Sequence, residues 1–208
     1  MSKLVNDLIR LGYLKSDLII DAFSEINRIE FVPQDLEKEA EANIALPIGY
    51  GQTISQPLTV AFMLELLDPQ RGQNVLDVGS GSGWTTALLS YIVGRNGKVT
   101  AVERKKELKE TGEKNVDKYG YLRDGQSGMT EFYVADGTRG FAKNAPYDRI
   151  LVSASAECVP SVLKEELKIG GKMVIPIRNS IWYMEKKEEN KFYKEEYPGF
   201  EFVPLIED

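Results

Sequence analysis

Val75-Leu76-Asp77-Val78-Gly79-Ser80-Gly81-Ser82-Gly83-Trp84 runs an apolar strand into a loop of alternating glycines, and the residues from Thr85 onward read as a helix. Glycine is needed where backbone must turn sharply and let a ligand approach without a Cβ in the way. Strand, glycine loop and helix, in that order, make the nucleotide-binding turn of a parallel sheet. Spacing narrows the nucleotide. The dinucleotide fingerprint G-x-G-x-x-G uses its third glycine for close helix–strand packing. Here that glycine comes one residue early, and Trp84 stands where glycine or alanine is required. A P-loop needs Gly-Lys followed by Ser or Thr, which this loop lacks. The best remaining candidate is S-adenosyl-L-methionine, a nucleoside cofactor with no phosphate. Its amino-acid end needs backbone contacts and an acidic environment for the ammonium, which Asp77 is placed to help organise.

Outward from this loop, short apolar runs alternate with helix-like segments: residues 74–78 then 85–93, 98–102 then 105–118, 131–135, 147–152 then 159–167, and 172–176. Gly94, Gly97, Gly170 and Gly171 punctuate the helix ends. The alternation predicts an α/β fold with a parallel, doubly wound sheet and right-handed crossovers, its ligand lying outside the carboxyl ends of the central strands. Two more acids fall at such ends. Glu103 follows the second strand, where a carboxylate suits ribose hydroxyls. Asp136-Gly137 follows the third, where a side-chain acceptor suits an adenine amino group. Each acid alone is more often a solvated strand end or a turn former. Three acids ending three consecutive strands around one crevice favour the methyl donor.

Before the loop, residues 3–11 and 17–27 carry helical periodicity. Leu18, Ile19, Ala22, Phe23 and Ile26 share one face, and Ser16 is placed as an N-cap after the Gly12 break. Pro57 opens a third helix that buries Val60, Ala61, Leu64 and Leu67. After the core, residues 181–186, 191–197 and 200–205 read as antiparallel strands with no helix between them, and the charges of EKKEENKFYKEE suit a solvated hairpin face. No repeat or low-complexity linker divides the chain. Residues 1–208 therefore read as a single domain, with an N-terminal helical region and loop (1–56), a nucleoside-binding core (57–178) and a β extension (179–208). The 208 residues include no histidine, which excludes His-based triads, His general bases and His-containing zinc sites. A net charge of −6 argues against nucleic acid as a partner. No stretch reaches the roughly 18 apolar residues of a membrane span, and the single Cys158 suits a reducing compartment. The chain reads as cytoplasmic, without membrane or metal, and as a monomer.

The motifs RIEFVP (Arg28 to Pro33), LPIGYGQTISQP (Leu46 to Pro57), VLDVGSGSGWTTA, VTAVER, VADGTRG, APYDRILVSAS, LKIGGKMVIPI and FEFVPL (Phe200 to Leu205) together resemble the protein-L-isoaspartate O-methyltransferase family. The glycine loop is shared by many methyltransferases. GYGQTISQP lies outside the nucleotide fold and is far more specific. The resemblance implies a Rossmann-like, mainly parallel sheet of seven strands with N-terminal helices and a C-terminal antiparallel extension. It implies methyl transfer from S-adenosyl-L-methionine, leaving S-adenosyl-L-homocysteine, onto the carboxyl group of isoaspartyl residues in damaged proteins and peptides, which initiates repair. By the same resemblance Ser55 is the active-site serine, with Gln52, Thr53 and Ile54 lining the cofactor and Thr53 also facing the acceptor. Asp77, Gly79, Ser80 and Gly81 hold the methionine portion, Gly83 completing their loop. Glu103 and Arg104 take the ribose side, Asp136 and Gly137 the adenine, and Val203 and Pro204 the peptide-binding lip.

The chain departs from the family at Leu58, where a histidine often follows the serine motif's proline, at Trp84, and in the polar loop SASAECVP (Ser153 to Pro160). These departures motivate two alternatives: a divergent O-methyltransferase acting on another acceptor, or a non-catalytic homologue that keeps the cofactor. Ser55 also suits simple helix entry before Pro57. It has no histidine to activate it as a covalent nucleophile. Cys158 reads as a small buried residue on the helix after the fourth strand. Trp182, Tyr183, Phe192 and Tyr193 read as hairpin packing.

Overall fold

The computed structural model describes residues 1–122 and 129–207. Two helices, α1 (Lys3–Arg10) and α2 (Asp17–Glu25), precede two short 3₁₀ turns, Arg28–Phe31 and Gln34–Glu39. A small antiparallel hairpin, β1 (Leu46–Gly49) and β2 (Gln52–Ile54), then leads into α3 (Pro57–Leu67). The core alternates as β3 (Asn74–Val78), α4 (Trp84–Val93), β4 (Lys98–Glu103), α5 (Lys106–Asp117), β5 (Thr130–Val134), β6 (Tyr147–Val152) and α6 (Ser161–Glu166). It closes with β7 (Leu167–Ile177), β8 (Ser180–Glu188) and β9 (Lys191–Pro198). The large sheet has seven strands in the order β5-β4-β3-β6-β7-β8-β9, parallel from β5 to β7 and antiparallel thereafter. The order reverses between β3 and β6, and such a switch point is where an open α/β sheet leaves a crevice at its strand ends.

Strand alternation sends residues to two apolar layers. Val75, Val99, Ala101, Leu151 and Val174 join the larger cluster under α1 to α4. Leu76, Val78, Val102, Ile150, Val152, Met173 and Ile175 join the smaller one with Leu163 of α6. With both faces covered, every residue of β3 after Asn74 is buried, and every residue of β6 but Asp148. Buried between the sheet and α2, α4 is apolar almost all round. Among the described residues, no helix is long and apolar enough to cross a membrane.

Four local expectations need correction. Ser16 stands at the N-cap of α2, yet its hydroxyl makes no capping bond; it donates to Glu65 Oε2 while Glu65 Oε1 accepts the amides of Lys15 and Ser16. The α3 carboxylate therefore docks the start of α2. Residues 200–205 form no strand. They run extended beside the loop after β6, joined where Ser155 N donates to Val203 O and Leu205 N to Ser155 O. Gly170 and Gly171 lie within β7, where the register jumps between Leu167 and Lys172, since glycine marks a bulge as readily as a helix end. Cys158 is exposed, in the loop before α6.

Candidate active site

The carboxyl ends of β3, β4, β5 and β6 border a crevice, where an open α/β sheet takes its ligands. Its floor is the glycine loop from Gly79 to Ser82, with Trp84 and Thr85 opening α4. Val78, Val102 and Ala135 give it an apolar side, and Glu103, Arg104 and Lys105 a polar one. The β1–β2 hairpin closes over it with Ile48, Gln52, Thr53, Ile54 and Ser55, and the C-terminal segment with Val203 to Ile206. Gly137 and the pair Ser153–Ala154 complete the wall.

The glycine loop owes its shape to β4. Gly79 N and Ser80 N both donate to Val102 O, and Gly81 N donates to Glu103 Oε2 at 3.0 Å. Gly79, Gly81 and Gly83 all have positive φ, which L side chains adopt at a cost. A Cβ on Gly83 would lie 2.7 Å from Gly112 O, so two glycines let α4 start directly against α5. With those amides engaged, the Ser80 hydroxyl, buried on the crevice wall and without a partner, is the side-chain group of the loop that a ligand would satisfy. The other Glu103 oxygen accepts from Lys105 N, which holds the carboxylate at the rim of the strand. An apolar slot, an acid at its edge and an orphaned hydroxyl on the glycine turn fit a nucleoside carrying an amino-acid arm.

Not every expected residue reaches this wall. Asp77 lies behind the loop, fully buried, with Oδ2 accepting from Thr85 Oγ1 (3.0 Å) and Thr86 Oγ1 (2.6 Å) and Oδ1 unpartnered. Burial pushes its pKa up to about 6 against the two hydroxyls, and the nearby Glu103 pushes the same way. Thr85 is the side chain through which Asp77 touches the crevice. Gly83 serves packing. Asp136 caps the turn Gly137–Arg139, its Oδ1 accepting from Thr138 N and Oγ1 and its Oδ2 facing Arg139 Nε at 3.3 Å, while Gly137 alone of the pair lines the crevice. Gly137 leaves no space for a side chain unless its neighbours shift: a Cβ there would meet Val78 Cγ1 at 2.3 Å.

Ser153, Ala154, Ile48, Leu205 and Ile206 also line the crevice, although the sequence reading assigns none of them to the site. For Ser153 and Ala154 the signal was present, since they follow the fourth strand of the rhythm as Glu103 follows the second. A second crevice abuts the first, lined by Gln56, Thr59, Asn179, Phe200, Glu201 and Phe202. The two share Thr53, Ser55, Ser153 and Val203.

A family model described as protein-L-isoaspartate(D-aspartate) O-methyltransferase matches residues 1–208. A protein-L-isoaspartate O-methyltransferase of Methanopyrus kandleri is 45% identical over 208 residues, covering 98% of this chain and 90% of that protein. Its namesake from Methanococcus vannielii is 39% identical over 210 residues, covering 100% and 98%. A solved structure of a protein-L-isoaspartate O-methyltransferase superimposes with a TM-score of 0.87 at 28% identity, covering 99% of this chain, which spans 65% of that one. A Plasmodium falciparum structure, titled as a β-aspartate methyltransferase in complex with S-adenosyl-L-homocysteine, shares the fold with a TM-score of 0.85 at 24% identity, covering 99% of this chain and 97% of that one.

Proposed function

The chain belongs to the protein-L-isoaspartate(D-aspartate) O-methyltransferase family, and from that membership we propose that it methylates the carboxyl group of L-isoaspartyl residues in damaged proteins and peptides. S-adenosyl-L-methionine, when bound, supplies an electrophilic methyl group on a sulfonium and leaves as S-adenosyl-L-homocysteine. The observation that carries this reading is the pair of crevices meeting at Thr53, Ser55, Ser153 and Val203. A nucleoside on the glycine-loop side and a peptide carboxylate on the C-terminal side would face each other across Ser55.

We assign Gly79, Ser80 and Gly81 to the amino-acid arm, with Asp77 acting through Thr85 and Gly83 through packing. Glu103 and Arg104 take the ribose, Gly137 on its Asp136-capped turn takes the adenine, and Gln52, Thr53 and Ile54 cover the cofactor. Val203 and Pro204 belong to the acceptor's lip. A carboxylate with a pKa near ~4 is already ionised at pH 7. The acceptor therefore surrenders no proton before attack, and a chain without histidine suffices. The Ser55 hydroxyl donates to one acceptor oxygen and aims the other, and such positioning supplies much of the acceleration. The ester formed is then open to the neighbouring backbone nitrogen. Its N–C bond closes a succinimide as methanol leaves, and hydrolysis of that ring returns part of the damage to normal aspartate. We read residues 1–208 as one such unit working as a monomer. The edge strand β9, studded with Lys191, Lys194, Glu195 and Glu196, resists pairing with a second copy.

The test is a matched pair of peptides, isoaspartyl and aspartyl, with a labelled methyl donor. Label is expected on the isoaspartyl peptide alone. Equal labelling points to a different acceptor class. Absence of label, with S-adenosyl-L-homocysteine still bound in calorimetry, points to a non-catalytic homologue.

A further inference from the structure

Arg28 lines neither crevice and is only 4% exposed. Its guanidinium donates four hydrogen bonds, all to main-chain carbonyls: Nη1 to Ala40 (2.9 Å) and Ala42 (3.3 Å), Nη2 to Ile44 (2.9 Å) and Ser55 (3.2 Å). Its Cζ lies 5.3 Å from the centroid of the Trp84 ring, and Trp84 lines the cofactor crevice. Among the described residues no carboxylate joins this set, and Nε is buried without a partner. Burial lowers its pKa to about 10, so the charge persists at neutral pH. A buried cation is expensive unless well paired, and here carbonyl dipoles and one indole face are its compensation.

The acceptors reveal what is being held. Ile44 lies just before β1 and Ser55 just after β2, so a single nitrogen, Nη2, bridges both feet of the hairpin. That hairpin has three residue pairs, Leu46–Ile54, Pro47–Thr53 and Gly49–Gln52, and a two-stranded hairpin of this length is marginal by itself. The other nitrogen ties the same guanidinium to the end of the preceding 3₁₀ turn.

We propose that Arg28 is a positioning residue for methyl transfer, clasping the base of the β1–β2 hairpin so that the Ser55 hydroxyl is fixed against the cofactor crevice. The inference rests on the acceptor-orienting role assigned to Ser55. Lysine cannot replace the clasp, because its ammonium is a point donor without the planar fork and without a face to lay on Trp84.

The experiment uses the full chain with Arg28→Lys, Arg28→Met, Ser55→Ala and the double variant Arg28→Lys/Ser55→Ala. Calorimetry with S-adenosyl-L-homocysteine gives affinity and the number of competent sites, and turnover on an isoaspartyl peptide is expressed per competent site. This removes any loss due to misfolded protein, and Arg28→Lys serves if Arg28→Met does not fold. Arg28→Lys is expected to keep the cofactor Kd within about threefold while kcat per site falls roughly ten- to a hundredfold, the scale of a small misplacement. Arg28→Met should fall at least as far, and the double variant no further than Ser55→Ala. Unchanged kcat per site in Arg28→Lys, with Ser55→Ala impaired, overturns the clasp and leaves the Ser55 role standing. Unchanged turnover in Ser55→Ala overturns the Ser55 role and the clasp with it. Multiplying losses in the double variant show Arg28 acting independently of Ser55, and a weakened cofactor Kd with intact kcat shows it acting through Trp84; either result also overturns the proposal.

Discussion

Replacing Asp77 by asparagine should change the stability of the protein by an amount that varies with pH. Asp77 has no solvent exposure, and one of its oxygens has no donor. Desolvation is the largest influence on it and raises the pKa from 3.8 to about 6, the Thr86 and Thr85 hydroxyls opposing and Glu103 assisting. Between pH 4 and 6 the unfolded chain has released this proton while the folded chain keeps it, so the wild type loses stability as pH rises. About two pKa units at ~1.4 kcal/mol each give roughly 3 kcal/mol, fully present below pH 4 and gone by about pH 7. Asparagine cannot titrate. Whatever constant cost or gain the amide brings, the stability of Asp77→Asn relative to wild type should grow by about 3 kcal/mol from pH 4 to pH 7. Urea denaturation at a series of pH values, with m held common, measures this difference and cancels the titrating groups that Asp77 does not influence. A flat difference would refute the buried, neutral-leaning carboxyl. An opposite slope would mean that the two threonine hydroxyls outweigh desolvation and hold Asp77 as a firm anion.

Gly137→Ala puts a Cβ 2.3 Å from Val78 Cγ1 at the junction of β3 and the capped turn. Overpacking of this kind costs about 1–3 kcal/mol, so Tm should fall and S-adenosyl-L-homocysteine should bind more weakly; unaltered values of both would show that the turn moves off β3 freely. Asp136→Ala removes the acceptor for Thr138 N and Oγ1. It should cost about 1 kcal/mol as a lost cap and weaken the cofactor, with kcat at saturating cofactor nearly kept. A Kd equal to that of the wild type would show that the cap on this turn does not shape the adenine site.

How far such roles could be read without coordinates depends on the range of the interaction that creates them. Asn74–Val78 and Tyr147–Val152 match the anticipated strands residue for residue because each is a short apolar run bounded by turn-forming residues. Gly83 marks the helix start, which falls at Trp84, one residue ahead of the expected Thr85, because its left-handed backbone is a local property. Phe200–Leu205 looks like a strand by composition, yet β9 is already the sheet edge and the segment is drawn instead to Ser155. The three acids are a subtler case. All three stand at strand ends, as their spacing requires, but alternation along β3 turns Asp77 away from the crevice, and Asp136 spends an oxygen on its own turn.

The amino-acid sequence alone therefore determined the α/β rhythm, the glycine turn and the segments that must come near it, because periodicity, turn chemistry and motif spacing act over a few residues. Only the tertiary structure decided which of those side chains face the crevice, that a second crevice meets the first at Ser55, and that Arg28 grips a carbonyl 27 residues away. Such contacts arise when helices and sheet pack at close density, and packing between distant segments leaves no local signature in the chain.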